Sequence, residues 1–396
     1  MSTRPIALVT HRYAPAIGGV ERVVEQLARG LARRGIAVEV VTTDPTGELP
    51  AIEQRDGVLV RRFPTVAHDS TYYVAPQLGA WLWRNAARFA LIHAHSYHTA
   101  LAPEAALAAW GARTPLLLSP YFHGGGHSLL RQALHLPYRL AGHWMVRQAR
   151  RLIYISQAER ALFEQRFGPG QAQLVAPCGI EITPLLTAQP QARPAGSKTI
   201  LAVGRLEAYK QTDRLLMALP LLPAEYELVV IGNGPLRPRI EQLAAELGVV
   251  ERLRLLDHVA QPDLLSWYRS ADVFVSLSRH ESFGMTLLEG AAAGAAIVAS
   301  DIPAHREVAG YVPAERAIFV DPDCALAYLG RAVELAARRG RADDSARNPG
   351  DGPGWRLPSW DGMVDALVQC YAEVIGDGAS EFDAGMQNVL KHVAND

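Results

Sequence analysis

Short runs rich in Val, Ile and Leu alternate along this chain with longer stretches whose apolar positions recur every three or four residues. Ile6–Thr10 reads as a strand and Pro15–Gly19 as a glycine-rich turn. Val20, Val23, Val24, Leu27 and Leu31 then fall on one face of a helix over Val20–Arg34, which Gly35 stops. Further strands are expected at Val38–Thr42, Val58–Phe63, Phe89–His93, Leu116–Ser119 and Leu152–Ser156, with helices between most of them. Repeated strand–helix–strand units imply a parallel sheet covered on both faces.

Glu181–Ser197 has no period and is rich in Pro, Ala, Gln and Thr, as linkers are. The alternation then restarts. Strands are expected at Thr199–Val203, Leu228–Ile231, Asp272–Ser276 and Ala296–Ala299. Helices are expected at Thr212–Leu219, Leu236–Leu247, near Gly284–Ala292 and over Met363–Val374. The reading is two similar α/β, Rossmann-like domains, over 1–182 and 198–358, with a linker at 183–197. A helix at 359–376 follows, then a loose tail at 377–396. Open parallel sheets bind ligands beyond the carboxyl ends of their strands, so two such domains facing across a cleft would carry function in the loops after strands.

At 396 residues the chain is long enough for two cores. Its three cysteines, Cys178, Cys324 and Cys370, are too few and too scattered for a disulfide framework, and a reducing cytoplasm is expected. No apolar run approaches the length of a membrane span, and the first ten residues do not resemble a signal peptide. The net charge of −1 conceals an asymmetry: residues 1–150 carry +7 and the remainder −8. A basic half suggests an anionic partner. Nucleic acid is not expected, because no basic run is interleaved with aromatics.

Five loops carry candidate chemistry. Gly18 and Gly19 open the first helix, where glycine permits close approach and free N–H groups suit a phosphate, although a plain tight turn reads equally well. Gly204-Arg205-Leu206-Glu207-Ala208-Tyr209-Lys210 follows a strand and brings two cations within reach of one diphosphate. Lys210 is one of only three lysines against 36 arginines. Glu281 and Glu289 bracket Phe283, Gly284 and Met285 at a helix start, where carboxylates can hold sugar hydroxyls. His93, His95 and His98 lie at the end of a strand, and His93 and His95 share a face if the strand persists. Their spacing approaches a binuclear zinc signature, but Tyr97 stands where that signature needs an aspartate. His123 and Gly124 open a second His/Gly loop suited to close ligand approach.

Together these loops resemble the retaining nucleotide-sugar glycosyltransferases of family 4, which have the GT-B fold. The most specific match is Glu281-x-Phe-Gly-x-x-x-x-Glu289, followed by Val203–Lys210. Weaker matches are Gly18-Gly19, His93-x-His95, Pro177-Cys178-Gly179-Ile180-Glu181, Ser300–Pro303 and the segment from Trp360 to Tyr371, which resembles a helix crossing back to the first domain. Cys178 departs from the family's usual asparagine. The resemblance implies that Arg205 and Lys210 bind the donor diphosphate, Glu289 the ribose, and Glu281 and His95 the transferred sugar. It also implies that Gly19 approaches the phosphates and that Gly204, Phe283, Gly284 and Met285 line the donor pocket. The implied cofactor requirement is none: no metal, with the nucleotide sugar as substrate. The acceptor would be a glycan or a lipid-linked sugar.

Residues 128–151 mix Leu, Trp, Met and Tyr with five arginines. Such a stretch can rest peripherally on an anionic membrane at the inner face of the plasma membrane, or pack on its own core. Three other activities compete with sugar transfer: a nucleotide-sugar epimerase on the same fold, a zinc hydrolase built on His93, His95 and His98, and a non-catalytic sugar-nucleotide-binding protein.

Overall fold

A computed structural model describes residues 4–66, 73–124, 140–170, 172–342 and 355–376. The chain divides into two compact units. The first comprises residues up to Gly179 and from Ser359 onward; the second is Ile180–Pro358.

The first unit contains, in order, β1 (Ile6–Val9), α1 (Gly19–Arg33), β2 (Val38–Asp44), β3 (Ile52–Arg55), β4 (Val58–Pro64), α2 (Pro76–Asn85), β5 (Leu91–His95), α3 (Leu101–Ala112), β6 (Leu116–Ser119), α4 (140–148), β7 (Arg151–Tyr154), α5 (Gln157–Phe167) and β8 (Gln173–Val175). They form one eight-stranded sheet in the order β3-β4-β2-β1-β5-β6-β7-β8. All pairings are parallel except β3 with β4, an edge hairpin. The strands β1, β2, β5 and β6 are buried along their whole length, as a doubly covered parallel sheet requires.

The second unit contains α6 (Ile182–Thr187), β9 (Lys198–Val203), α7 (Thr212–Ala218), β10 (Tyr226–Ile231), α8 (Arg237–Glu246), β11 (Leu253–Leu256), α9 (Gln261–Ser270), β12 (Val273–Ser276), α10 (Met285–Ala292), β13 (Ala296–Ser300), α11 (Pro303–Ala309), β14 (Ala317–Val320) and α12 (Leu326–Arg338). Its six-stranded sheet runs β11-β10-β9-β12-β13-β14 and is parallel throughout. The order reverses at β9, the switch point beside which α/β sheets bind ligands. The final helix, α13 (Trp360–Gly376), packs in the first unit. There Val364 sits against Gly30, where a Cβ would come within 2.6 Å of it.

Several expectations need correction. The stretch read as linker at 183–197 begins with α6 and clusters with the second unit from Ile180. The strand placed at Phe89–His93 runs from Leu91 to His95, because a 3₁₀ turn at Ala86–Arg88 holds the Phe89 N–H and pairing starts at Leu91. The strand placed at Leu152–Ser156 stops at Tyr154, because Ser156 caps α5, accepting from the Glu159 N–H at 2.8 Å. The strands β3, β8, β11 and β14 are additional to those expected. Residues 128–151 are not one amphipathic element: 140–148 form α4, with Met145 and Val146 buried, and Arg151 opens β7. The rest of that stretch, 128–139, and the tail at 377–396 lie outside the described residues.

Candidate functional site

The candidate residues fall in both units. In the second, the loop after β9 is shaped by glycine. Gly204 has φ +154° and Gly232 φ +144°, and a Cβ on Gly232 would lie 2.0 Å from the Gly204 carbonyl oxygen. A Cβ on Gly234 would lie 2.5 Å from the Leu206 carbonyl. The loops after β9 and β10 therefore press backbone on backbone, joined by Gly204 N–H to Ile231 O at 3.0 Å and Leu206 N–H to Asn233 O at 2.9 Å. A pocket opens at the carboxyl ends of β9 and β12, lined by Gly204, Arg205, Lys210, Thr212, Ser276 and Ser278 among others.

Lys210, in the pocket lining, donates to the Glu281 carboxylate, with both side chains mostly buried. Burial alone would push the Lys210 ammonium below its ordinary pKa; the facing Glu281 charge and hydrogen bond, with the Tyr209 phenol, together outweigh it and the net shift is upward. Burial likewise acts to raise the Glu281 carboxyl. The Lys210 charge and hydrogen bond bring it below its ordinary value. Arg205 is exposed and its guanidinium lies 3.3 Å from the Tyr209 hydroxyl. Tyr209 stacks on His280 with ring centroids 4.5 Å apart, and its carbonyl accepts from the Arg279 N–H at 2.8 Å, which ties the β9 loop to the β12 loop.

Gly284 adopts φ +107° immediately before α10, and a Cβ there would meet His305 at 3.5 Å. Phe283 is buried and Met285 is the first helical residue. Glu289, one turn into α10, is buried and accepts from the Tyr268 hydroxyl at 2.7 Å. His305 is fully buried, with Ser276 Oγ 3.2 Å from Nε2 and Ser300 Oγ 3.0 Å from Nδ1. Burial holds its pKa below the ordinary value, so the ring is neutral. Its sequence, in a short helix after Ser300–Pro303, carried no signal of this role.

In the first unit, His93 and His95 do share one face of β5, with ring centroids 4.1 Å apart. His93 Nδ1 lies 2.7 Å from the Tyr371 hydroxyl and Nε2 lies 2.9 Å from Ser119 Oγ. With both nitrogens engaged, His93 has no lone pair for a metal, and the zinc-hydrolase reading loses its first ligand. His98 instead stacks on Phe122 and His123. Among the described residues no group of three or more His, Cys, Asp or Glu is placed to hold a metal ion. His95 Nδ1 lies 3.1 Å from the Tyr121 hydroxyl, and burial holds its ring well below the ordinary pKa.

The loop carrying Tyr121 and His123 is pinned by Glu159, a buried carboxylate that no motif in the sequence singles out. It accepts from the Phe122 and Ile155 N–H groups, both at 2.8 Å. Gly124 has φ +103°, and among the described residues nothing lies within 4 Å of its Cβ position. Gly19 begins α1, and among the described residues nothing lies within 4 Å of its Cβ position either. A Cβ on Gly18, however, would strike the Glu21 carboxylate, which lies 3.5 Å from His11 Nε2. Cys178 is fully buried, and burial raises its thiol pKa, so it is inert. Gly179 is required by close approach: a Cβ would lie 2.0 Å from the Trp360 nitrogen.

Residues 187–334 match the family model of the glycosyl transferases group 1, and residues 18–179 match the glycosyl transferase 4-like domain. The chain is 31% identical over 376 residues to D-inositol 3-phosphate glycosyltransferase 2 of Catenulispora acidiphila, covering 82% of this chain and 87% of that one. It is 28% identical over 413 residues to a glycogen synthase of Mycobacterium tuberculosis, covering 87% and 97%. Its fold is similar to that of sucrose-phosphate synthase from Thermosynechococcus elongatus, with TM-score 0.77, 22% identity, and 94% and 100% of the two chains covered. It is also similar to Anabaena HepE in complex with UDP-glucose, with TM-score 0.69, 18% identity, and 94% and 99% covered. These likenesses identify the two Rossmann-like units as those of a GT-B fold.

Proposed function

This chain belongs to the group 1 glycosyltransferases, of the family 4-like kind, and from that premise we propose that it transfers a hexose-type sugar from a UDP- or GDP-sugar to a glycan or lipid-linked acceptor. The supporting observation is Lys210. Glu281 holds it, against its burial, as a fixed cation in the pocket at the carboxyl ends of β9 and β12.

In the proposed reaction the bond from the anomeric carbon to the donor phosphate breaks as the bond to the acceptor hydroxyl oxygen forms on the same sugar face. The leaving diphosphate takes the acceptor's proton. Negative charge grows on that diphosphate in the transition state. Lys210 and Arg205, with the N-terminus of α10, are the groups that would neutralise it, in place of a metal. Glu281 orients Lys210 until the diphosphate arrives and then faces the sugar hydroxyls. Glu289, fixed by Tyr268, suits a ribose diol. His95, with His123 and Gly124 on the neighbouring loop, would meet the sugar, and Gly18 and Gly19 the phosphates. UDP-glucose in the complex of the HepE relative supports a nucleotide-sugar donor. An epimerase would convert donor without acceptor, and a binding protein would turn over neither.

A thermal-shift screen of UDP, GDP and their glucose and mannose derivatives tests the donor class, since a ligand at 100 times its Kd stabilises the native state by about 2.7 kcal/mol. One of the two nucleotide series is expected to raise the melting point, and Lys210→Ala to remove most of that shift. The same variant is expected to lower transfer about 10²-fold, as loss of one fixed charge-stabilising donor does. Undiminished stabilisation by the nucleotide in Lys210→Ala would overturn this pocket as the donor site.

A further inference from the structure

In the second unit, His305 of α11 joins the carboxyl ends of β12 and β13 through hydrogen bonds. Its Nε2 lies 3.2 Å from Ser276 Oγ, at the end of β12. Its Nδ1 lies 3.0 Å from both the hydroxyl and the carbonyl oxygen of Ser300, at the end of β13. The Ser300 hydroxyl donates in turn to the Ser278 carbonyl. Ser276 and Ser278 are among the residues that line the pocket of Lys210. His305 and Ser300 are wholly buried, whereas Ser276 is only half-buried.

These contacts fix where the hydrogens are. A carbonyl oxygen only accepts, so the Ser278 carbonyl takes the single hydroxyl hydrogen of Ser300. The Ser300 carbonyl is met by the hydrogen on His305 Nδ1, and the Ser300 hydroxyl oxygen, its own hydrogen committed, faces that N–H as a second acceptor. The ring is neutral: it is fully buried, makes no ion pair among the described residues, and burial outweighs the pull of Glu281 on its pKa. A neutral imidazole has one N–H, so Nε2 is a lone pair and Ser276 donates to it. His305 is the one hydrogen-bond partner of Ser276 Oγ among the described residues. The Ser276 hydrogen is therefore spent within the protein, and its oxygen has only lone pairs left for a ligand.

We propose that His305 is a positioning residue that makes the Ser276 hydroxyl an acceptor-only group, so that this point of the pocket takes a hydroxyl hydrogen of the nucleotide sugar and refuses a phosphate oxygen. A phosphate oxygen offers lone pairs and would face lone pairs; a sugar or ribose hydroxyl can donate to them. The pocket then divides its work: Lys210 and Arg205 take oxygens, and Ser276 takes a hydrogen. The use of Ser276 rests on the reading of this pocket as the donor site. The placement of the hydrogens does not.

Long-range ¹H–¹⁵N correlation spectra of the ¹⁵N-histidine-labelled full-length protein read the tautomer directly. The His305 signals are assigned with His305→Asn or, should that variant not fold, by the change that Ser276→Ala causes at Nε2. The expected form at neutral pH is Nδ1–H alone; an Nε2–H ring or an imidazolium overturns the proposal. Ser276→Ala is expected to raise KM for UDP-glucose or GDP-mannose, whichever stabilises the protein, about 2- to 10-fold with kcat little changed, as loss of one hydrogen bond made equally in ground and transition states does. Ser276→Thr, which keeps the hydroxyl, is expected to restore KM. Among analogues of that nucleotide sugar lacking one hydroxyl, one is expected to be insensitive to Ser276→Ala, and its fluoro counterpart, which accepts but cannot donate, to bind no better. A fluoro analogue that binds distinctly better than the deoxy one, or equal sensitivity of all deoxy analogues to Ser276→Ala, overturns the proposal. Failure of the donor-site reading shows separately, as undiminished nucleotide stabilisation of Lys210→Ala.

Discussion

At the scale of single residues the pocket depends on how Lys210 keeps its charge while buried. Burial and Glu281 act on it in opposite senses, and Glu281 wins. Glu281→Gln removes the opposing charge but keeps the shape, so the Lys210 pKa is expected to fall below its ordinary value. The alkaline limb of a kcat/KM profile should then move to lower pH, and an unmoved limb would remove Lys210 from the rate-determining charge set. The sign for stability follows from both partners. The raised Lys210 pKa gives a contribution that is full below the ordinary lysine value and is lost as pH rises through the folded one. The lowered Glu281 pKa gives one that is present above the ordinary carboxyl value and is lost as pH falls through the folded one. Urea unfolding of the two proteins should therefore differ most at neutral pH and converge at both extremes. Lys210 and Glu281 were legible as candidates, one by its rarity and the other by its spacing to Glu289. Their pairing was not, because 71 residues separate them. His305, Tyr268, Glu159 and Tyr371 were silent for the same reason: each acquires its role only through a partner brought in by the fold.

At the scale of elements, what distinguishes the donor-side loops is how closely two strand-end turns approach. Gly232→Ala would place a methyl 2.0 Å from the Gly204 carbonyl, in a backbone region that L-residues rarely adopt. Separating the turns should cost about 1–3 kcal/mol, as overpacking does. It should also displace Arg205 and Lys210 together. A melting point lowered by several degrees and loss of the nucleotide-induced shift are expected. Wild-type behaviour in both measurements would show that the loops tolerate separation. The strands around these turns were legible because a parallel sheet buried on both faces writes itself as continuous Val/Ile/Leu runs, as in Leu228–Ile231 and Ala296–Ala299. β3 was not, since Ile52–Arg55 is a partly exposed edge strand with a single apolar residue, whereas β14, Ala317–Val320, carries an apolar run as long as that of Ala296–Ala299 and was missed despite it. The β5 strand was placed two residues early because His93 and His95 look like strand-ending polar residues. Ser119, Tyr121 and Tyr371 are what make them tolerable inside.

At the scale of the molecule, the first unit is closed by a segment from the far end of the chain. Its α13 buries Leu367, Val368 and Tyr371 completely, and Asp365 accepts from Arg34 Nε of the first unit at 2.9 Å. That ion pair is half-exposed and adds at most about 1 kcal/mol. The apolar face dominates, so Leu367→Ala should cost about 2–5 kcal/mol, the range for deleting a fully buried leucine. The loss should be local. Calorimetry of the intact protein is expected to show the first unit's transition lowered, while the nucleotide picked out by the thermal-shift screen still raises the transition of the unit formed by Ile180–Pro358, whose pocket residues all lie within it. If Leu367→Ala instead abolished that nucleotide-dependent rise while the second transition persisted, nucleotide capture would require the first unit. The pocket of Lys210 and Glu281 would then not suffice for nucleotide capture by itself.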